Sequence, residues 1–216
     1  MHVGKLNSVY HALTCKKGGY VALRHNWLRE TIAKLLSSAK CKDVKIEPQL
    51  LPTNGKSLSS GSITADQARL DISARSVWNV CERAFFDVRV FNPLAPSNSN
   101  KQPSQMYTAH EAQKKRAYND RVIQIEKGSF TPLVFSTSGS MGREAQGLMK
   151  KIAERMELTS GQRYSDCMGF MRKRLRFELL KTTLIALRGY RGREGYNLEE
   201  CNSQFDGMDL NLEPVP

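Results

Sequence analysis

The chain lacks any pair of cysteines at Cys-x-x-Cys spacing. Its five cysteines, Cys15, Cys41, Cys81, Cys167 and Cys201, are scattered and odd in number. That argues against a disulfide framework and for a reducing compartment. No apolar run approaches the ~18 residues that a membrane-spanning helix needs. The N-terminus, with Lys5 followed by polar residues, has no signal-peptide core. No internal repeat is visible. Acids are scarce too: 21 Asp and Glu stand against 33 Lys and Arg. These shortages point away from a secreted scaffold and a membrane protein, and toward an intracellular, soluble chain.

What is present is mostly basic. The net charge is +12 over 216 residues. Six of the acids (Glu194, Glu199, Glu200, Asp206, Asp209 and Glu213) lie in the last 23 residues, which hold no Lys or Arg. Removing those six negative charges from the total leaves +18 on residues 1–193. A body that basic is expected to attract a polyanion, most often nucleic acid. A protein–protein adaptor with no nucleic-acid role is disfavoured on the same ground. With 40% hydrophobic residues, the chain is long enough for one globular domain with appended segments.

The periodicity predicts a helix over 21–38, where Val21, Leu28, Ile32, Leu35 and Leu36 recur at helical spacing. Val44–Glu47 alternates and is stopped by Pro48, as a short strand would be. Residues 52–64 are rich in Ser, Gly and Asn and read as a loop. Leu70–Ile72 and Ala84–Phe91 read as strands, with Trp78 near the turn between them. Residues 92–103 carry three prolines and read as a loop. A long helix follows over 106–127, ended by Gly128. Thr131–Ser136 is a strand, 138–142 a turn, and helices follow at about 143–157 and 164–188. The order implies an α/β sandwich around a central mixed sheet flanked by helices, with extra helices at the C-terminal end.

Chemistry concentrates at two acids. Asp71 closes a short apolar run, and Asp87 lies inside the β-prone run Phe85–Val90. Strand residues alternate sides, so Asp87 and Arg89 share one face while Phe86, Val88 and Val90 share the other. If Asp71 ends the neighbouring strand, two carboxylates and a cation converge. Two carboxylates at a strand junction suit a hard divalent cation, which can polarise a phosphodiester and activate water. An exposed hairpin with ordinary surface charges carries the same spacing.

Several short motifs occur in a fixed order: Arg24-His25-Asn26, Ile46-Glu47-Pro48, Arg69-Leu70-Asp71, Asp87-Val88-Arg89-Val90, and His110-x-x-x-Lys114-x-x-x-Tyr118. In that order they resemble the restriction-like endonuclease domain of certain non-long-terminal-repeat retrotransposon polyproteins, from about His11 to Arg191. The resemblance implies a PD-(D/E)xK nuclease fold acting on double-stranded DNA, with Mg²⁺ or Mn²⁺ held by Asp71 and Asp87. It also implies a lysine that positions or activates water. The residue two after Asp87 is Arg89, which stays protonated and binds phosphate rather than acting as a base. The lysine is therefore expected on the following helix, as Lys114 or Lys115. Lys114 is favoured, because its four-residue spacing to Tyr118 puts both on one helix face.

Glu47 is either an accessory acid or a strand-end charge. Arg24, His25 and Asn26 open a helix and are expected to grip phosphate, with Arg89 and Tyr118 also on the DNA. Arg172 and Arg174, in the run Arg172-Lys173-Arg174-Leu175-Arg176, are candidates for DNA backbone contact or nuclear localisation. The same run also reads as the outer face of a packing helix.

His11-x-x-x-Cys15 resembles the second half of a zinc knuckle, but the upstream piece is Met1-His2-Val3-Gly4, without cysteines. Four ligands are needed for structural zinc, so none is expected. Residues 1–20 then read as an eroded knuckle remnant, 21–137 as the restriction-endonuclease-like core, 138–191 as a C-terminal helical extension and 192–216 as an acidic, disordered tail. The chain is expected to be nuclear and to have worked beside the reverse-transcriptase part of a parent element. The alternative is a catalytically inactive DNA-binding remnant of the same domain.

Overall fold

The computed structural model describes residues 9–188. The acidic tail expected over 192–216, and His2 of the expected knuckle remnant, lie outside the described residues. In order, the elements are α1 (Val9–Thr14), α2 (Tyr20–Ser38), β1 (Lys42–Ile46), β2 (Ile72–Arg75), β3 (Arg83–Phe91), α3 (Pro103–Arg121), β4 (Ser129–Ser136), α4 (Arg143–Ser160) and α5 (Tyr164–Arg188). The chain is thus α/β, with a four-stranded mixed sheet ordered β1-β2-β3-β4. β1–β2 and β2–β3 are antiparallel, and β3–β4 is parallel. Among the described residues, no helix is long and apolar enough to cross a membrane.

Both faces of the sheet are covered, which explains why β3 reads almost continuously apolar. Phe86 and Val88 join Leu28, Ile32 and Leu36 of α2, Leu148 and Ile152 of α4, and Met171, Leu175 and Leu179 of α5 in the main core. The alternate residues face α3. Phe85 packs with Leu50, Leu70, Val122 and Phe130, and Phe91 packs with Met106 and Val134. Asp87 and Arg89 stand between those two apolar groups by alternation along the strand. β4 is an edge strand, which is how it tolerates Pro132.

Two boundaries differ from the sequence expectation. β2 begins at Ile72 rather than Leu70, because the ladder is irregular at Asp71. There the Asp71 amide donates to the Phe86 carbonyl (3.1 Å), while Ile72 is the residue paired with Phe86. The helix expected over 106–127 is α-helical only to Arg121. It then widens into a π-helical turn, Val122–Glu126, and ends at Lys127 with φ 54°. Gly128 follows, and a side chain there would strike the Arg83 carbonyl as β4 enters beside β3.

Arg121 ties the long β1–β2 connection to α3. Its side chain is 0% exposed. It donates to the carbonyls of Leu51, Ile63 and Ala65 at 2.8–2.9 Å. One buried guanidinium thereby pins three carbonyls of that connection, and its own Nη1 and Nη2 groups find acceptors. Arg121→Met is expected to destabilise the fold by about 3 kcal/mol, the order of several lost charge-assisted hydrogen bonds. Urea unfolding measures it; a midpoint unchanged from wild type would show that the clasp is dispensable.

Candidate functional site

β3 runs on past the start of β2, so the Val88 peptide group has lost its strand neighbour on that side. Two side chains take over. The Val88 N–H donates to Asp71 Oδ2 (2.6 Å). The Val88 carbonyl accepts from His25 Nε2 (3.1 Å), which also lies 3.1 Å from Asp71 Oδ2. With two acceptors on it, Nε2 carries the proton. The other ring nitrogen, Nδ1, lies 3.4 Å from Asn26 Oδ1. The hydrogen bond and charge of Asp71 raise the His25 pKa above its ordinary value, against the opposing effect of burial.

Asp87 is the other carboxylate, 6% exposed. Lys114 Nζ from α3 approaches its Oδ2 to 2.7 Å. The approach is out of line for a hydrogen bond, and this buried oxygen has no hydrogen-bond partner among the described residues. Burial pushes the Asp87 pKa up. Lys114 pulls it down, and the Asp71 charge pushes it up again. Lys114 Nζ also lies 5.7 Å from the centre of the Tyr118 ring. The Tyr118 phenol is held protonated by burial first, then by the charges of Asp87 and Asp71. One strand junction thus gathers Asp71, Asp87, His25, Lys114 and Tyr118.

Of the two candidate lysines, only Lys114 meets the acids. Lys115 turns to Glu144 at the start of α4. Glu47 lies beside Asp71 in the ladder, its amide donating to the Asp71 carbonyl (2.9 Å). Its carboxylate is paired with Arg29. Arg24 does not face solvent as a phosphate grip. It is 3% exposed, and its Nη2 donates to the Leu13 carbonyl at 2.9 Å. The reason is that α1 packs over this end of α2 and supplies an acceptor. His25 is likewise turned to an acid. Arg89 forms no ion pair with either acid, and its charge acts on His110 of α3. Arg172 is exposed on α5, and Arg174 lies 3.4 Å from Glu178. Both belong to the helical layer opposite Lys114, so they are not brought to the acids.

Sequence reasoning missed Arg29 and the true target of His25. The signal was there: the two are four apart on α2, on one helix face. That face meets the chain ends carrying Glu47 and Asp71. It also missed Glu111, a buried acid whose Oε1 accepts the Glu144 N–H (3.2 Å) at the first turn of α4. A side chain at Gly142 would collide with that carboxylate.

The donor chemistry at the junction suits a hard cation. The two carboxylates are near enough for the Asp71 charge to act on Asp87, and Asp87 Oδ2 is a buried acceptor without a hydrogen bond. No group of three or more His, Cys, Asp or Glu able to hold a metal occurs among the described residues. Asp71 and Asp87 would therefore be the only side-chain carboxylates in the set, with water or substrate completing it. No family model matches the sequence, and no curated protein matches it.

The raised pKa of Asp87 has a sign that can be tested. An acid whose folded pKa lies above its ordinary 3.8 contributes most to stability below that pH, and loses this as pH rises through the folded value. At pH 7 the ionised group is a burden. Asp87→Asn is expected to raise the Tm at pH 7, by roughly 2–4 °C for each kcal/mol regained. The gain should vanish below about pH 4, where the aspartic acid is neutral in both states. A lower Tm for the variant at pH 7 would mean that the Lys114 attraction outweighs burial.

Proposed function

We propose that this chain is a divalent-cation-dependent DNA endonuclease domain of the restriction-like kind, derived from a retrotransposon. The observation that carries the reading is the convergence of Asp71, Asp87 and Lys114 where β2 parts from β3. The mixed sheet with helices on both faces is compatible with a PD-(D/E)xK core. The excess of positive charge fits a nucleic-acid substrate. A nuclear setting and a former reverse-transcriptase neighbour belong to the same reading.

Asp71 and Asp87 would hold Mg²⁺ or Mn²⁺, which when bound supplies Lewis-acid polarisation of a phosphodiester oxygen and a more acidic water. The chain's own residues set the stage. His25 and the Val88 N–H fix Asp71 in one orientation, as pre-organisation of a charged site requires. Lys114 keeps positive charge beside Asp87, where it offsets the two carboxylates and can donate to a phosphate oxygen. Tyr118 holds its phenolic proton and faces the same notch. Burial by Phe85, Phe130 and the α3 face limits water around Asp87.

One observation favours the inactive DNA-binding reading instead: the Lys114 ammonium, 2.7 Å from Asp87, already offsets its charge. Two measurements separate the readings. The nuclease should nick supercoiled plasmid with Mg²⁺ and not with EDTA. Asp71→Asn and Asp87→Asn should each lower nicking by at least about 100-fold, since each removes a charged ligand. Both should also lose cation binding by calorimetry, while Lys114→Ala should keep cation binding and lose nicking. Wild-type protein that binds DNA but takes up no cation and never nicks would establish the inactive reading.

A further inference from the structure

Arg89 is the charged group that the acid pair does not use. It stands on the same strand face as Asp87, two residues on, while the cations named as acting most on that carboxylate are Lys114 and His25. Arg89 acts on His110. His110 belongs to α3, one turn before Lys114, and its ring rests on Phe91 with centroids 4.6 Å apart. Tyr107 meets the other part of Phe91 edge-on at 5.0 Å. Lys101, exposed in the segment before α3, adds a second positive charge near His110. Arg89 itself is half-buried and pairs with no carboxylate among the described residues.

We propose that Arg89, Lys101 and His110 form a phosphate-binding subsite beside the acid pair, with Arg89 as its fork. In DNA bound for cleavage it takes a backbone phosphate next to the one at Asp71 and Asp87, and in that form it rests on the nuclease reading. The chemistry is that of a cationic spot with one planar donor. Arginine presents parallel N–H groups to a phosphate and remains charged at any working pH. Half-burial strengthens the attraction relative to open water. His110 is held neutral at pH 7, its pKa lowered to about 4 by burial, then Arg89, then Lys101. One ring nitrogen can therefore donate, and its proton affinity rises when an anion offsets the neighbouring charges. Two residues of extended strand advance about 6.6 Å. A phosphate at Arg89 is thus one step along the strand from a phosphate at Asp87, so the subsite aligns a nucleic-acid backbone and leaves the scissile position to Lys114.

The experiment follows the His110 ring resonances by NMR while inorganic phosphate, and separately duplex DNA, is added to the full chain. It also measures duplex affinity against salt for wild type, Arg89→Ala, Lys101→Ala and, as a remote control, Lys34→Ala on α2. Phosphate should move the His110 resonances in wild type and not in Arg89→Ala. Arg89→Ala should weaken duplex binding about tenfold, as loss of a charged hydrogen bond does, and reduce the salt slope by about 0.9, one phosphate's worth of counterions. Lys101→Ala, a change at an exposed position, should lower the slope in the same direction. Lys34→Ala should leave it unchanged. Phosphate binding that moves His110 in a protein with no affinity for duplex DNA would support the subsite for free phosphate and sink the nuclease reading. His110 resonances unmoved by phosphate, or equal salt slopes for wild type and both subsite variants, would overturn the subsite.

Discussion

The peptide group of Val88 is the constraint around which the site is arranged. A buried N–H and carbonyl must each find a partner. The β2 strand that would supply them begins at Ile72, opposite Phe86, two residues short of Val88. The chain answers with side chains: Asp71 takes the N–H and His25 the carbonyl. An acid in that place is therefore structural before it is chemical. It completes the ladder with one oxygen, and the same contact holds it beside Asp87. The α2 helix is drawn into the arrangement too, since His25 and Arg29 each hold an acid at the end of a neighbouring strand.

Asp87 carries the opposite sense. Nothing in the fold requires a carboxylate there. Phe85 before it and Phe91 beyond Arg89 on that face are apolar and buried, and a neutral side chain would sit near them at lower cost. The charge is tolerated because Lys114 reaches it, and that reach has a geometric reason. Four residues of helix advance about 6 Å, whereas four residues of strand advance about 13 Å. Phe91 and His110 touch, so α3 falls short of Asp87 by the time it arrives at residue 114. A long lysine stem spans the difference, where a shorter polar side chain would not. The same mismatch leaves Arg89 opposite no acid.

Much of the α/β architecture could be read from pattern. Alternation placed β1, β3 and β4, the 3.6-residue period placed α2, α4 and α5, and the shared face of Asp87 and Arg89 followed from strand geometry alone. The four-residue spacing from Lys114 to Tyr118 likewise put that lysine on the sheet-facing stripe. What failed to show was what depends on partners distant in sequence. Arg24 at a helix start looks like a phosphate grip until α1 supplies a carbonyl for it. Arg121 looks like one more cation on a basic helix, and its three carbonyls lie 56 to 70 residues away. The π-helical turn after Arg121 carries no local signal; it leads into Gly128, where the chain passes close to the Arg83 carbonyl.

The charge distribution then has a physical meaning at two scales. Over the body, excess Lys and Arg give a long-range attraction for polyanions that salt screens. At the notch the sign reverses, since two carboxylates meet one lysine and one histidine. A phosphate brought in by the wider field would be repelled at its destination unless positive charge were added there or supplied by the protein. Lys114 cannot do both jobs at once: while it neutralises Asp87 it has fewer donors to spare for a phosphate. The pair therefore couples the two events. On the nuclease reading, a cation held by Asp71 and Asp87 would free Lys114 for an incoming phosphate. On that reading metal binding and DNA binding would be linked free energies, each favouring the other by the same factor.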